Sequence, residues 1–415
     1  MVQDAGHEGE GAGLADAVTF ATKTECRLCG GTNLERALDL GHTPLANAYE
    51  KEDDPPSTSY PLCVMSCPTC RHAQLSCVVD PSVLYRDYRY RTASSNREDV
   101  HRAHPLVRQF SDYARSMVRR HRPELVVDVG SNDGTFLRSF ADWGVRAVGV
   151  DPAGTVKPGD VDTIEGFFNE EAMEKVLASA GLPDLITANN VFAHIDDLSA
   201  ALDTAQLYLR PGGHLVMQVS YLDDLLRLGL FDTIYHEHLD YHHVTPLVGF
   251  FERHGLRVVH AERVPMYGGS VRLTARHAEE SERCNPTVAR FLEYEAEQGT
   301  GSLERWARLG ERIATGGESF RDQIADRILT GFGAPAKATT LIHQWQIEAS
   351  IACMMDDTPE KQDRYMPGTS IPIIPFGALE EDDDGVLVFA WNFLTAATKR
   401  MGEDRTYFVP RLPAE

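Results

Sequence analysis

The sequence predicts an α/β protein built from three successive units: a small metal-binding domain, an open parallel-sheet domain and a second α/β unit. Three observations predict it. Two CxxC knuckles lie within the first 70 residues. A strand, turn and helix alternation then runs from about residue 124 to 220. Beyond residue 245 a long helical stretch leads to another glycine turn ahead of a helix.

At 415 residues the chain can hold two or three cores. An apolar content of 42% and a charged content of 25% are those of an ordinary soluble globular protein. The net charge of −22 argues against nucleic acid as a partner, because a polyphosphate backbone needs a basic surface. A small anion needs only a local positive pocket. No run approaches the roughly 18 to 20 apolar residues of a membrane span, so no membrane partner is expected. The opening "MVQDAGHEGEGAGLADAVTF" lacks a basic start and an apolar run, and does not read as a signal peptide. Residues 1–24 read as a tail, and the expected location is cytoplasmic, where thiols stay reduced. The eight cysteines then need a reason other than disulfides.

Residues 25–80 supply that reason. Six of the eight cysteines fall here, and Cys26-x-x-Cys29 and Cys67-x-x-Cys70 form two knuckles. Each two-residue spacer turns its sulfurs toward a common point, so the pair can give four thiolates to one tetrahedral zinc. Gly30 and Gly31 follow the first knuckle and Pro68 sits inside the second, as tight turns require. Four sulfurs leave no open position, which makes the expected zinc structural. A redox CxxC or unpaired buried thiols are the alternatives. Cys63 and Cys77 complete no pair and read as core residues.

Residues 81–244 form the second unit. "ELVVDVG" is a β-branched run ending in the turn "GSNDG", "TFLRSFADWG" an amphipathic helix, and "VRAVGVD" a strand stopping at Asp151. "DLITANNVFAHI" is a strand with its exit loop, and "LYLRPGGHLVMQVS" a helix end, a turn and another strand. The glycine loop permits close backbone approach by a ligand. An acid ending the second strand can accept both hydroxyls of a ribose. "GSNDG" is not the GxGxxG fingerprint, yet a NAD- or flavin-type domain stays open on these residues alone.

The stretch "IYHEHLDYHH", residues 234 to 243, follows soon after the last of these strands and is expected at the carboxyl edge. In an extended segment His236 and His238 would share one side, and a metal is one reading. Proton transfer is another, since histidine titrates near neutrality and a carboxylate can fix its tautomer. A merely satisfied loop is the third, and for His242 and His243 it is the preferred one.

The motifs "DVGSNDGTFL", "GVDPA", "NNVFAHIDDL" and "LRPGGHLVMQV" resemble the core of class I S-adenosylmethionine methyltransferases. From about residue 25 onward the chain is similar to the C-methyltransferases that act on nucleotide-linked 4-keto-deoxysugars in antibiotic biosynthesis. The likeness rests further on "CRLCGGTNLERALDLGHTPLANAY", "IYHEHLDY", "YGGSVRLTARH", "GFGAPAKATTLI", "TPEKQDRYMPGTSIPI" and "AWNF". The implied fold is a small zinc-binding domain, a Rossmann-like methyltransferase domain and a C-terminal Rossmann-like domain over 245–415 that binds the nucleotide sugar.

The resemblance also implies roles. S-adenosylmethionine would lie on Gly130, Asp133, Gly134, Asp151 and Asn189. His238 would be the general base, with Tyr235 and Glu237 beside it, His194 facing the same cavity and Tyr88 reaching in. Lys361, Arg364, Tyr365 and Lys337 would meet the diphosphate of a dTDP-linked sugar, where Arg suits bidentate contacts. The competing view of that loop is a solvated surface. Methylation is expected at C3, with C5 next. An O- or N-methyltransferase, or a zinc-bearing scaffold without catalysis, are the other classes. Residues 287–326 should be helical, broken near "GTGS" and "TGGES". Ala338 and His343 to Trp345 depart from the family pattern.

Overall fold

A computed structural model describes residues 20–84, 105–154, 161–280, 285–378, 384–390 and 394–415. Tyr88 and most of the expected N-terminal tail lie outside these residues.

The valine-rich run at Leu125–Val129, with a single acid at Asp128, is buried along its whole length and forms the middle of a seven-stranded sheet. Side by side the strands are Leu256–Val264, Ser270–His277, His214–Ser220, Leu185–Asn189, Leu125–Val129, Arg146–Asp151 and Asp162–Glu165. Ser270–His277 alone runs against its two neighbours, and the other strands are parallel. Parallel strands in this setting are covered on both faces, which explains why the inner ones are mostly apolar and buried. The sheet thus extends past the boundary expected at residue 244, because Leu256–Val264 and Ser270–His277 close its far edge.

The N-terminal domain is a four-stranded antiparallel sheet in the order Asp240–Tyr241, Ala73–Leu75, Ser59–Ser66 and Glu35–Pro44. Its first strand comes from the histidine-rich stretch. The expected tail is shorter than 24 residues, since Phe20–Thr22 pairs with Cys77–Val79.

The C-terminal unit holds a six-stranded sheet whose four inner strands, Pro372–Ile374, Ile351–Met355, Leu329–Phe332 and Val386–Val388, are parallel. Two helices, Pro286–Gln298 and Leu303–Gln323, precede it. The expected break at "GTGS" is present, but "TGGES" lies inside the second helix. A Cβ on Gly317 would stand 2.7 Å from Trp345 Cδ1, and one on Gly316 2.3 Å from Leu412 Cδ2. These glycines let the helix lie flush on its neighbours, and that packing outweighs the roughly 1 kcal/mol that each costs a helix. One apolar core runs from Leu62 and Val64 of the N-terminal sheet through Phe231 to Trp306 and Trp345. Among the described residues no helix is long and apolar enough to cross a membrane.

Candidate active site and metal centre

Both knuckles fold into one kind of turn. Cys26 N–H donates to Gly31 O at 2.8 Å and Cys67 N–H to His72 O at 2.8 Å. The fifth residue of each, Gly30 and Arg71, is left-handed, with φ of 71° and 66°. The sulfurs of Cys26, Cys29, Cys67 and Cys70 all lie within 4.8 Å of one another. Cys26 to Cys70 and Cys29 to Cys67 are each 3.5 Å. Four sulfurs around zinc at 2.3 Å stand roughly 3.8 Å apart, so the cluster fits that ion. Cys63 and Cys77 stand outside it.

At the carboxyl end of the central strand the turn holds three left-handed residues, Gly130 (φ 67°), Asn132 (φ 51°) and Gly134 (φ 75°). A Cβ on Gly130 would sit 2.3 Å from Val191 Cγ2, so glycine is required for closeness as well as for φ. Asp151 ends the next strand and accepts Asn132 N–H on Oδ2 and Ala153 N–H on Oδ1, both at 2.8 Å. Burial raises its carboxyl above the ordinary range, against the pull of those two N–H groups. Asp133 accepts Thr135 N–H at 3.0 Å, at the first residue of the helix Thr135–Ala141. Asn189 donates to Asp128 at 3.4 Å. Burial lifts Asp128 to about 7, opposed by Thr187 and Asn189.

The histidine-rich stretch is a turn, not an extended segment, because His238 N–H closes on Tyr235 O at 2.9 Å. Its two leading histidines therefore diverge, and the shared-side expectation fails. His236 is buried against the N-terminal sheet, 3.2 Å from Pro61 O and edge-on to Tyr60. His238 lies on a cavity with Asn190, His194, Ser220 and Thr233. Its Nδ1 is 2.7 Å from Thr233 O and its Nε2 is 3.0 Å from Tyr235 Oη. A carbonyl can only accept, so Nδ1 carries the proton and Nε2 keeps the lone pair. The His194 ring stands edge-on 4.9 Å away. Burial lowers His238 to about 4 and His194 to about 3, so both are neutral at ordinary pH.

Glu237 is buried, takes an N–H from Asn47 at 2.6 Å, and is not among the residues lining the cavity. Burial lifts it to about 7, with Asn47 pulling the other way. Three units hold this turn. Leu239 N–H reaches Ala193 O, Leu75 N–H reaches Leu239 O, and Thr340 Oγ1 donates to Ile234 O. Next to the knuckles, Arg27 Nη1 reaches Leu239 O at 3.4 Å and His72 Nε2 is 2.7 Å from Asp240. His242 and His243 are buried in the core.

In the loop read as a diphosphate site Pro359, Glu360 and Asp363 are exposed, while its cations are tied to other elements. Lys361 Nζ donates to Ala334 O at 2.8 Å and lies 5.1 Å over the Tyr49 ring. Burial pulls its ammonium down, but Tyr49 and Asp356 more than offset this, so it is held charged. Arg364 donates to Tyr49 O, and Tyr365 exchanges backbone bonds with Glu50. Lys337 lies 3.8 Å from Asp232, and burial lowers it against that attraction. Ala338 and Trp345 are core residues, and His343 bonds Pro367 O, so the departures fill space between elements. Sequence reasoning missed Asn47, Tyr49, Arg27, His72 and Asp240. Asn47 and Tyr49 sit in the quoted "HTPLANAY" stretch, but no spacing rule marks them.

Family models match all three units: "Putative zinc binding domain" over residues 26–85, "Methyltransferase domain" over 96–261, and "C-methyltransferase C-terminal domain" over 265–413. C-methyltransferase NovU of Streptomyces niveus is 35% identical over 382 residues, covering 89% of this chain and 90% of that protein. The chain belongs to the zinc-bearing C-methyltransferase family. It is an S-adenosylmethionine-dependent C-methyltransferase with a Rossmann-like catalytic fold and an N-terminal zinc-binding domain, as the sequence led us to expect. A ubiquinone biosynthesis O-methyltransferase of Colwellia psychrerythraea is 25% identical over 157 residues, 34% of this chain and 63% of that one. Among solved structures, the CcbJ methyltransferase of Streptomyces caelestis aligns over 41% of this chain and 90% of its own, at 16% identity and a TM-score of 0.32.

Proposed function

We propose that this C-methyltransferase acts in the cytoplasm on a nucleotide-linked 4-keto-deoxysugar, dTDP being the expected carrier, in antibiotic deoxysugar biosynthesis. Position C3, next to the ketone, is the site that the family likeness favours. The observation that carries the reading is His238: neutral, tautomerically fixed by Thr233 O, and lining a cavity that also includes Asn190 and His194.

Carbon has no lone pair to offer, so methylating it requires a proton to be removed first. His238 Nε2 takes that proton from the carbon beside the ketone and becomes an imidazolium whose Nδ1–H stays on Thr233 O. The Tyr235 hydroxyl, which donates to Nε2 at 3.0 Å here, would turn to donate to the enolate oxygen and free the Nε2 lone pair for the proton. The Gly130 to Gly134 turn and Asp151 would hold S-adenosylmethionine, which when bound would supply an electrophilic sulfonium methyl. The loop's bonds to three units fix the base, and positioning of reacting groups is worth up to roughly 7 to 11 kcal/mol in ideal cases. Lys361, Arg364, Tyr365 and Lys337 are proposed to meet the diphosphate, on the family likeness alone.

Incubating the dTDP-4-keto sugar with enzyme in heavy water tests the reading. Deuterium should enter the carbon beside the ketone with wild type and not with His238→Gln, whose S-adenosylmethionine binding stays within about twofold of wild type. Exchange at an equal rate in the variant removes His238 as base. Methyl transfer to oxygen or nitrogen with no exchange in wild type replaces the reaction class.

A further inference from the structure

Outside the cavity, the segment Ala46 to Glu50 of the zinc-binding domain is gripped by the C-terminal unit. Thr339 Oγ1 donates to Ala46 O at 3.1 Å, and Arg364 donates to Tyr49 O at 3.1 Å. Tyr365 N–H reaches Glu50 O at 2.8 Å. Within this gripped segment, the Tyr49 hydroxyl donates chiefly to Ala334 O at 2.7 Å and reaches Asn47 Oδ1 at 3.4 Å. With its oxygen toward Tyr49, Asn47 presents its amide N–H to Glu237 Oε1 at 2.6 Å. Glu237 sits between His236 and His238 in a buried turn. A buried carboxylate without a donor is costly, and an amide that is itself oriented supplies one at low entropic cost.

We propose that Asn47 is a positioning residue for methyl transfer: registered by Tyr49 on the C-terminal unit, it holds Glu237 and thereby the turn that carries the base. The zinc-binding domain then contributes to the reaction through a side chain that touches neither cofactor nor sugar. The chain of contacts runs from Lys361, which shares Ala334 O with Tyr49, through Asn47 to Glu237, so it joins the C-terminal unit to the turn that carries His238. This inference rests on the reading of His238 as base.

Two measurements on full-length, zinc-loaded enzyme test it. The first needs no substrate. The Glu237 carboxyl band, assigned by infrared difference against Glu237→Gln, is titrated in wild type and in Asn47→Ala. Titratable neighbours are Tyr235, His236 and His238 on its own turn and Tyr49 with Lys361 behind it. The charged pair Lys337 and Asp232 lies on and before the packed helix Ala336–Trp345. Asn47→Ala leaves all of these in place and removes only the donor, so the midpoint should move upward. The second is steady-state kinetics on a panel of dTDP-4-keto sugars. Asn47→Ala should lower kcat roughly 10- to 100-fold, the range of a lost bond to a charged group, with the KM for S-adenosylmethionine within about twofold. Asn47→Ser, which keeps a donor, should recover part of kcat. Added to Glu237→Gln, Asn47→Ala should cost little more, because both act through one carboxyl group.

An unmoved carboxyl midpoint, wild-type kcat in Asn47→Ala, or losses that multiply in the double variant would each overturn the proposal. Absence of turnover on every sugar would overturn the substrate reading instead, and the infrared titration would still decide Asn47.

Discussion

Gly130→Ala isolates the turn on which cofactor binding is proposed to depend. Two costs follow from the geometry. Placing an L-residue at φ 67° costs roughly 1 to 2 kcal/mol. The new methyl would lie 2.3 Å from Val191 Cγ2, and overpacking of that kind typically costs about 1 to 3 kcal/mol. Together the variant should lose roughly 2 to 5 kcal/mol, or relax by opening the turn and weaken S-adenosylmethionine at least about tenfold. Unfolding in guanidinium and calorimetry with the cofactor read the two outcomes. A cycle with Val191→Ala separates the terms. Shortening Val191 removes the clash and not the backbone strain, so the pair should show a favourable coupling of roughly 1 to 3 kcal/mol. Strictly additive losses would mean that the clash plays no part. A Gly130→Ala enzyme as stable and as tightly binding as wild type would refute the close-approach reasoning altogether.

Zinc removal by a strong chelator, or Cys70→Ser, should abolish turnover while calorimetry still registers S-adenosylmethionine, since the seven-stranded sheet does not include the knuckles and the base turn leans on Arg27 and His72. Retained turnover in metal-free protein would break that link. Glu237→Gln should change the pH dependence of stability in a defined direction. Wild-type Glu237 ionises near 7 in the folded chain, well above the ordinary carboxyl value of about 4.5, so the folded state holds an extra proton between those pH values. Wild type therefore loses stability as pH rises through that window, whereas the amide does not. The variant's advantage over wild type should grow from near zero below pH 4.5 to at most roughly 3 kcal/mol above pH 7, read from denaturant midpoints. An advantage that shrinks with rising pH would reverse the sign.

Local chemistry was legible where a residue type answers to its own backbone or its near neighbours. The knuckles, the turn after Leu125–Val129 and the acid at Asp151 all appear where spacing puts them, because turns and strand ends are short-range properties. What depends on distant packing was not legible. Gly316 and Gly317 read as breakers, but Trp345 and Leu412 approach so closely that only glycine fits within the helix. His236 and His238 read as partners on one side, but a hydrogen bond from His238 N–H to Tyr235 O rotates them apart. Asp240 and Tyr241 belong to a sheet whose other strands lie over 160 residues earlier, a pairing that no window of sequence contains. Asn47 escaped for the same reason, since its partner is 190 residues away.

That distribution of long-range contacts bears on why the enzyme needs three units. Transfer to oxygen or nitrogen asks mainly that a nucleophile with a lone pair meet the methyl group. Transfer to carbon also asks that a base reach one particular C–H bond while the enolate stays aligned with the sulfonium. A base on a freely moving loop would lose much of the advantage of proximity. Here the proposed base, His238, sits on a turn of few residues whose backbone is tied to the methyltransferase unit at Ala193, to the zinc-binding domain at Leu75 and to the C-terminal unit at Thr340. Each tie is an ordinary hydrogen bond, worth about 1 kcal/mol on its own. Coming from three bodies, they fix position in three directions, which no set of bonds from one body on one side of the turn achieves.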